Sequence, residues 1–129
     1  MSPPIKEYRY NGNVELLIKN IKKYIIAHPS VSFKVTGVDG DKDLGFVHEI
    51  TISFKLDNHD LTYDLNCREK NLTDDKTITN IELVGANDLT NGTGGYGINA
   101  IGMDKLVNIF NSYIIYPLQN EENIKITPL

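Results

Sequence analysis

The clearest pattern in the chain is an alternation of apolar and polar positions between Phe46 and Asp57. Since successive side chains of a strand point to opposite faces of a sheet, this pattern predicts a strand with one buried face and one solvated face. The buried set is Phe46, His48, Ile50, Ile52, Phe54 and Leu56, and the solvated set is Val47, Glu49, Thr51, Ser53, Lys55 and Asp57.

Three more segments have the spacing of strands, at about residues 31–36, 61–68 and 77–84. Short polar links join most of these segments, which favours antiparallel neighbours arranged as a meander. The chain therefore predicts four consecutive strands in one sheet.

The register of the second and third strands depends on the turn between them. With Asn58-His59 at the tip of this turn, Ile50 faces Cys67 and apolar residues meet along the pair. The same register places His48 opposite Glu69, at one end of the covered face.

Two segments have the 3.6-residue spacing of amphipathic helices. The first is predicted at residues 13–27, where Asn13 is a suitable N-cap. Pro29 disfavours the helical backbone conformation of the residue before it, so the helix should end there. The second begins near Asn99 and ends or kinks at Pro117. Each helix has one apolar stripe that can cover a sheet.

These elements predict an α+β fold. We expect a two-layer sandwich in which a four-stranded antiparallel meander sheet is covered on one face by an N-terminal and a C-terminal helix, in the order α-β-β-β-β-α. Residues 1–12 are predicted as an extended N-terminal arm and residues 13–119 as a single α+β domain. Residues 120–129 form a tail with a short edge strand.

Charge and cysteine content narrow the class of protein. The chain of 129 residues has a net charge of -4 at pH 7. This balance argues against a nucleic-acid partner, because phosphate binding needs a concentrated positive surface. Cys67 is the only cysteine, so an intrachain disulfide is excluded. No apolar run approaches the ~20 residues that span a bilayer, and we expect no membrane span.

The start of the chain does not decide the compartment. Residues 1–5 contain no signal-peptide hydrophobic region, which favours the cytoplasm. A mature exported domain from which the signal peptide has been removed is the alternative, and both stay open. The sequence sets no oligomeric state.

The segment from Asp39 to Ile50 begins like a calcium loop. Asp39, Asp41 and Asp43 occupy the first, third and fifth positions of the EF-hand pattern. Leu44 stands where that pattern requires glycine, and Ile50 stands where it requires a bidentate glutamate. We therefore predict a turn between two strands and no metal site. An open calcium site formed by the three aspartates is the alternative.

His48, Cys67 and Glu69 are the candidates for catalysis. A cysteine beside a histidine that is oriented by a carboxylate can form a thiolate nucleophile. In the predicted register, however, Cys67 lies diagonal to His48, and a free cysteine is usually a small buried apolar residue. We favour a buried thiol next to a His48–Glu69 hydrogen bond, and we predict no catalytic residue and no cofactor.

Glycines are concentrated between the fourth strand and the second helix. Gly92, Gly94 and Gly97 formally match a dinucleotide-binding pattern, but no second βαβ unit fits in the remaining chain. We predict that Gly92, Gly94, Gly95 and Gly97 form a flexible loop. Its amides, near a helix N-terminus, offer an alternative as an anion site.

No motif reaches the specificity of a catalytic or metal signature. We therefore expect a non-catalytic binding or interaction module, such as an accessory, immunity-type or exported bacterial protein, whose solvated sheet face or loops contact another protein. Tyr8, Tyr10 and Tyr96 are interpreted as exposed residues that suit such an interface. The alternative is a small enzyme or ligand binder with a pocket near His48, Cys67 and Glu69.

Overall fold

The computed structural model describes residues 3–41 and 45–129. The chain begins with β1 (Lys6–Tyr10) and α1 (Val14–Ala27). Four long strands follow: β2 (Ser32–Asp41), β3 (Gly45–Leu56), β4 (His59–Thr73) and β5 (Lys76–Asp88). The last elements are β6 (Thr93–Gly95), α2 (Met103–Phe110), a π-helical turn (Asn111–Ile115), α3 (Tyr116–Glu122) and β7 (Ile126–Pro128).

Within the described residues, the fold is α+β with an open antiparallel sheet of seven strands. The strand order is β2-β3-β4-β5-β1-β7, and β6 pairs with β5 next to β1. The predicted four strands correspond to β2–β5, so the antiparallel meander is confirmed. The predicted strand count and the α-β-β-β-β-α order are wrong, because β1 precedes the first helix, β6 follows β5 and β7 follows the last helix.

β1 lies in the interior of the sheet, between β5 and β7. Tyr8 has no exposed surface and Tyr10 is 3% exposed, so the interpretation of these two tyrosines as surface residues is wrong. The hydroxyl group of Tyr8 donates a hydrogen bond to Oδ1 of Asn111. A five-residue strand with charged neighbours resembles a solvated arm in sequence, and only its two sheet partners reveal that it is buried.

The turn between β3 and β4 lies one residue earlier than the sequence predicted, with Asp57-Asn58 at its tip. Asp57 and Asn58 have φ angles of 49° and 66°, as in a two-residue type I′ turn, whose twist matches that of the flanking strands. Ile50 therefore pairs with Leu65, and the predicted pairing of Ile50 with Cys67 is wrong by two residues. A shift of two preserves the faces, so the predicted buried and solvated sets keep their sides. Phe46, however, is 46% exposed near the start of β3, so its predicted burial is wrong.

The first helix begins and ends as predicted. Oδ1 of Asn13 accepts a hydrogen bond from the backbone N–H of Leu16 at 2.8 Å, which caps α1. The helix extends from Val14 to Ala27, and His28 is its C-cap before the proline. Its buried stripe consists of Val14, Leu17, Ile21 and Tyr24.

Pro117 neither ends nor interrupts the second helical segment, which continues to Glu122. A proline has no N–H group, so in an α-helix the carbonyl group four residues earlier loses its donor. That carbonyl group belongs to Tyr113, and it accepts a hydrogen bond from the hydroxyl group of Tyr24 at 3.3 Å. The π-helical turn before the proline and this donor from α1 allow the segment to continue.

The core lies on one face of the sheet, beneath the helices. Phe110 is fully buried there, with its ring centroid 4.7 Å from that of Tyr63 and 6.2 Å from that of Tyr8. The hydroxyl group of Tyr63 donates to the carbonyl oxygen of Leu106 at 2.8 Å, so its burial leaves no unsatisfied donor. The opposite face of β3, β4 and β5 is left without a covering helix among the described residues.

We expect Phe110→Ala to lower the free energy of unfolding by about 3–5 kcal/mol, because it removes a fully buried ring from a packed core. Ile26→Ala is the control, since Ile26 is 81% exposed, and its effect should stay within ~0.5 kcal/mol. Urea denaturation followed by circular dichroism measures both changes. Equal effects of the two substitutions would contradict the assigned core.

Candidate functional site

A groove of about 560 Å³ crosses the uncovered face of the sheet. Its floor is formed by side chains that point away from the helices on β3, β4 and β5. A second hollow of about 340 Å³ continues along the same face and shares several of these residues. The first groove is lined by Pro3, Pro4, Asp39, Val47, Glu49, Asn66, Arg68, Glu82, Val84 and Tyr96.

The floor of this groove follows directly from strand alternation and register. Glu49 lies opposite Asn66, which in turn lies opposite Glu82, so these three residues form a row across three neighbouring strands. Thr51 and Asp64 form the adjacent pair. Since all of these side chains occupy the solvated positions of their strands, the middle of the floor is polar, and Val47 and Val84 add apolar surface beside it.

Tyr96 is held against the groove although 65% of its surface is exposed. Its hydroxyl group donates to Oδ2 of Asp64 at 3.1 Å, and the hydroxyl group of Thr51 donates to Oδ1 of the same carboxylate at 2.8 Å. The hydrogen bond to Asp64 and the charge of that carboxylate raise the pKa of Tyr96. The phenol therefore stays protonated as the donor.

Gly85 makes room for the ring of Tyr96. A Cβ atom at this position would lie 2.6 Å from Cε1 of Tyr96 and 3.1 Å from Oδ2 of Asp64. Only glycine allows the ring to approach the backbone of β5 this closely. The tyrosine is thus fixed by the strand beneath it and by the carboxylate beside it.

The centre of the uncovered face is acidic. Four carboxylates line the groove and its continuation, and Arg68 is the only cation in either lining. In the part of the chain that the structure describes, the salt bridges all lie elsewhere and none involves a charged residue of the groove. The four carboxylates are those of Asp39, Glu49, Asp64 and Glu82.

The calcium candidates are only partly described. Oδ1 of Asp39 accepts a hydrogen bond from the backbone N–H of Gly40 at 2.8 Å, and Asp39 lies at the end of the groove. Asp41 pairs with Gly45 in the β2–β3 ladder, but its side chain and all of Asp43 lie outside the described groups. Among residues 3–41 and 45–129, no cluster of three or more His, Cys, Asp or Glu suits a metal ion.

The catalytic candidates are arranged differently from the prediction. His48 and Cys67 are direct cross-strand partners, whereas Glu69 pairs with Thr79. Oε1 of Glu69 accepts the backbone N–H of Val14 at 3.0 Å, so this carboxylate stabilises the start of α1. Nδ1 of His48 is buried and has no hydrogen-bond partner among the described residues.

The thiol of Cys67 is poorly suited to nucleophilic chemistry. Cys67 has no exposed surface, and burial, with a smaller effect from the charge of Glu82, raises its pKa to about 12. The thiolate, which is the reactive form, is therefore nearly absent at neutral pH. The cavity beside it is apolar and holds about 10 Å³, too small for a substrate.

The four glycines of the predicted flexible loop have different positions. Gly94 and Gly95 belong to β6, where they pair with Asn87 and Ala86, and the N–H of Gly94 donates to the carbonyl oxygen of Ile101. Gly92, with a φ of 69°, donates its N–H to the carbonyl oxygen of Asp88. Gly97 lies after the strand, and its surroundings are open enough for a Cβ atom.

The sequence analysis missed a pair formed by His59 and Asp88. Nδ1 of His59 lies 2.7 Å from Oδ2 of Asp88, while Oδ1 of Asp88 accepts the N–H groups of Thr90 and Asn91. Asp88 is 7% exposed, and a buried carboxylate with this many partners fixes the chain as it leaves β5. The only signal in the sequence was the Asp88-Leu89-Thr90-Asn91 segment, which is typical of a side-chain-supported turn.

No known protein family, curated protein or solved structure matches this chain. Across the described ranges, we find no helix whose length and apolar character would carry it through a membrane. The class that the fold and the groove define is a small α+β domain with an open antiparallel sheet.

We expect Cys67 to react very slowly with a thiol reagent such as dithionitrobenzoate at pH 8. Its pKa rises from 9.0 to about 12, and each pKa unit is a factor of ten, so the native protein holds about a thousandfold less thiolate than the unfolded chain. The same sample in 6 M guanidinium chloride is the control and should react at once. Rapid labelling of the native protein would contradict the conclusion that the Cys67 thiol is unreactive.

We expect Asp88→Asn to make the stability of the protein less dependent on pH. Burial alone would raise the pKa of Asp88, but the N–H groups of Asn91 and Thr90 and the contact with His59 outweigh burial and lower it. Stability from this carboxylate is present above its ordinary pKa and is lost as pH falls through the lowered value.

Urea midpoints between pH 7 and pH 2.5 measure this effect. Asp88→Asn should be the less stable protein at pH 7, and its midpoint should fall less steeply below pH 4. Asp74→Asn, at an exposed turn position, is the matched control. If the urea midpoint of Asp88→Asn fell below pH 4 as steeply as that of the wild-type protein, the Asp88 carboxylate would have no such role.

Proposed function

We propose that this protein is a non-catalytic binding module whose groove receives a segment of another protein. The observation that supports this proposal is the groove of about 560 Å³, which crosses a sheet face that no helix covers in the described part of the chain. An accessory, immunity-type or exported bacterial protein is the biological setting that we expect for such a module.

The shape of the groove supports an extended peptide as its occupant. Neighbouring strands lie about 4.8 Å apart, so the distance from β2 to β5 is roughly 14 Å. An extended chain rises about 3.3 Å per residue, and a segment of roughly four or five residues spans this width.

The residue types in the groove also support recognition of a protein. Tyrosine and arginine are enriched where binding energy is concentrated, and Tyr96 and Arg68 are both in the lining. Tyr96 is already fixed by Asp64 and Gly85, so little conformational entropy is lost when a partner contacts its ring.

The alternative is a small enzyme or ligand binder near His48, Cys67 and Glu69. One observation favours it, namely the buried Nδ1 of His48, which has no partner among the described residues. The buried thiol and the engagement of Glu69 by the start of α1 both weigh against it. The thiol titration above tests the enzymatic form of this alternative, because a nucleophilic Cys67 would react in the native protein.

Site-specific photo-crosslinking tests the proposal. Benzoylphenylalanine is introduced at Asn66, in the middle of the groove, or at Asn120, an exposed position on α3, in the organism that makes the protein. We expect a defined adduct with one protein from position 66 and not from position 120. The partner is then purified and its affinity is measured with wild-type protein and with Arg68→Ala.

We expect Arg68→Ala to weaken this affinity at least tenfold, which corresponds to about 1.4 kcal/mol, because its guanidinium group would donate hydrogen bonds to backbone carbonyl oxygens of the extended segment. Lys22→Ala, an exposed cation on α1, is the matched control and should have little effect. Identical adducts from both crosslinking positions, no adduct from position 66, or an unchanged affinity in Arg68→Ala would each overturn the proposal.

A further inference from the structure

We infer that the groove selects a cationic partner, an extended segment in which arginine or lysine side chains alternate with small residues. One cationic side chain would lie against the ring of Tyr96, and another would lie between Glu49 and Glu82. This inference rests on the proposed function and specifies the chemistry of the partner.

The row of Glu49, Asn66 and Glu82 provides the first reason. Strand spacing places the two glutamates about 10 Å apart, with the amide of Asn66 between them. A cation above Asn66 would be flanked by a glutamate on each neighbouring strand, whereas a single carboxylate would attract it from one side only. In the described ranges neither glutamate takes part in a salt bridge.

Tyr96 provides the second reason. A guanidinium or ammonium group is attracted to the face of an aromatic ring, and nearby carboxylates strengthen this attraction. Glu49 and Tyr96 line both the groove and its continuation, so ring and carboxylate border one space. The hydrogen bond to Asp64 and the close approach to Gly85 fix the ring before a partner arrives.

Charge also argues against other occupants. An anion or a nucleic acid would meet four carboxylates and one guanidinium group. A second copy of this chain would bring a net charge of -4 toward an acidic surface. An acidic or neutral peptide would leave Glu49 and Glu82 facing like charge or no charge. A basic segment is the occupant that complements the groove.

Fluorescence anisotropy with two labelled hexapeptides tests the inference. One peptide is Arg-Gly repeated three times, and the other is Glu-Gly repeated three times. We expect saturable binding of the arginine peptide, weakening as salt increases, and no binding of the glutamate peptide. Amide chemical shifts in the arginine titration should change at Glu49, Asn66, Glu82 and Tyr96.

Matched variants separate the groove from general attraction to an acidic protein. E49Q/E82Q should weaken binding of the arginine peptide at least tenfold. D74N/D75N removes the same charge at the exposed β4–β5 turn and should change binding less than twofold. Tyr96→Ala should weaken binding about fivefold or more, whereas Tyr96→Phe, which keeps the ring, should retain most of the affinity.

Equal effects of E49Q/E82Q and D74N/D75N, or shifts spread over the whole surface, would overturn the inference. This failure can be distinguished from failure of the binding module itself. If the arginine peptide fails while the partner crosslinked at position 66 still depends on Arg68, the module stands and its partner is not cationic. If both experiments fail, the groove is not a binding site.

Discussion

The helices place their apolar stripes against the same face of the sheet. Val14, Leu17 and Ile21 from α1 join Leu106 and Phe110 from α2 in one cluster with the buried side chains of the strands. Because these stripes meet on one side, the other side of β3, β4 and β5 stays solvated and must be polar. The groove is a consequence of this asymmetry, since it occupies the face that the core leaves open.

A few local contacts fix the aromatic edge of the groove. The absence of a side chain at Gly85 lets the ring of Tyr96 approach the sheet, and Asp64 fixes its hydroxyl group. Asp64 is in turn held by Thr51 on the neighbouring strand. A flat polar sheet face thereby acquires a fixed aromatic edge beside a row of carboxylates, which is the arrangement from which we infer a cationic partner.

The same packing explains why the end of the sheet near His48 is a weak candidate for chemistry. Cys67 lies beneath α1 in the apolar cluster, where burial keeps its thiol protonated. Glu69 is two residues further along β4 and binds the backbone at the first turn of α1. The residues that would form a nucleophile, a base and an orienting carboxylate are thus divided between core packing and helix stabilisation.

The sequence by itself determined the two-sided character of Phe46–Leu56, the limits of α1 and the presence of a meander, because alternation, capping and proline restriction act over a few neighbouring residues. It also identified Glu49 and Thr51 as solvated and Tyr96 as exposed. Tertiary structure alone decided that Tyr8 and Tyr10 are buried, that Pro117 continues a helix, and that Tyr96 reaches Asp64. Each of these outcomes depends on a partner far away in the chain, such as β5 for β1 or Tyr24 for the carbonyl group of Tyr113. Local sequence patterns contain no information about such distant partners.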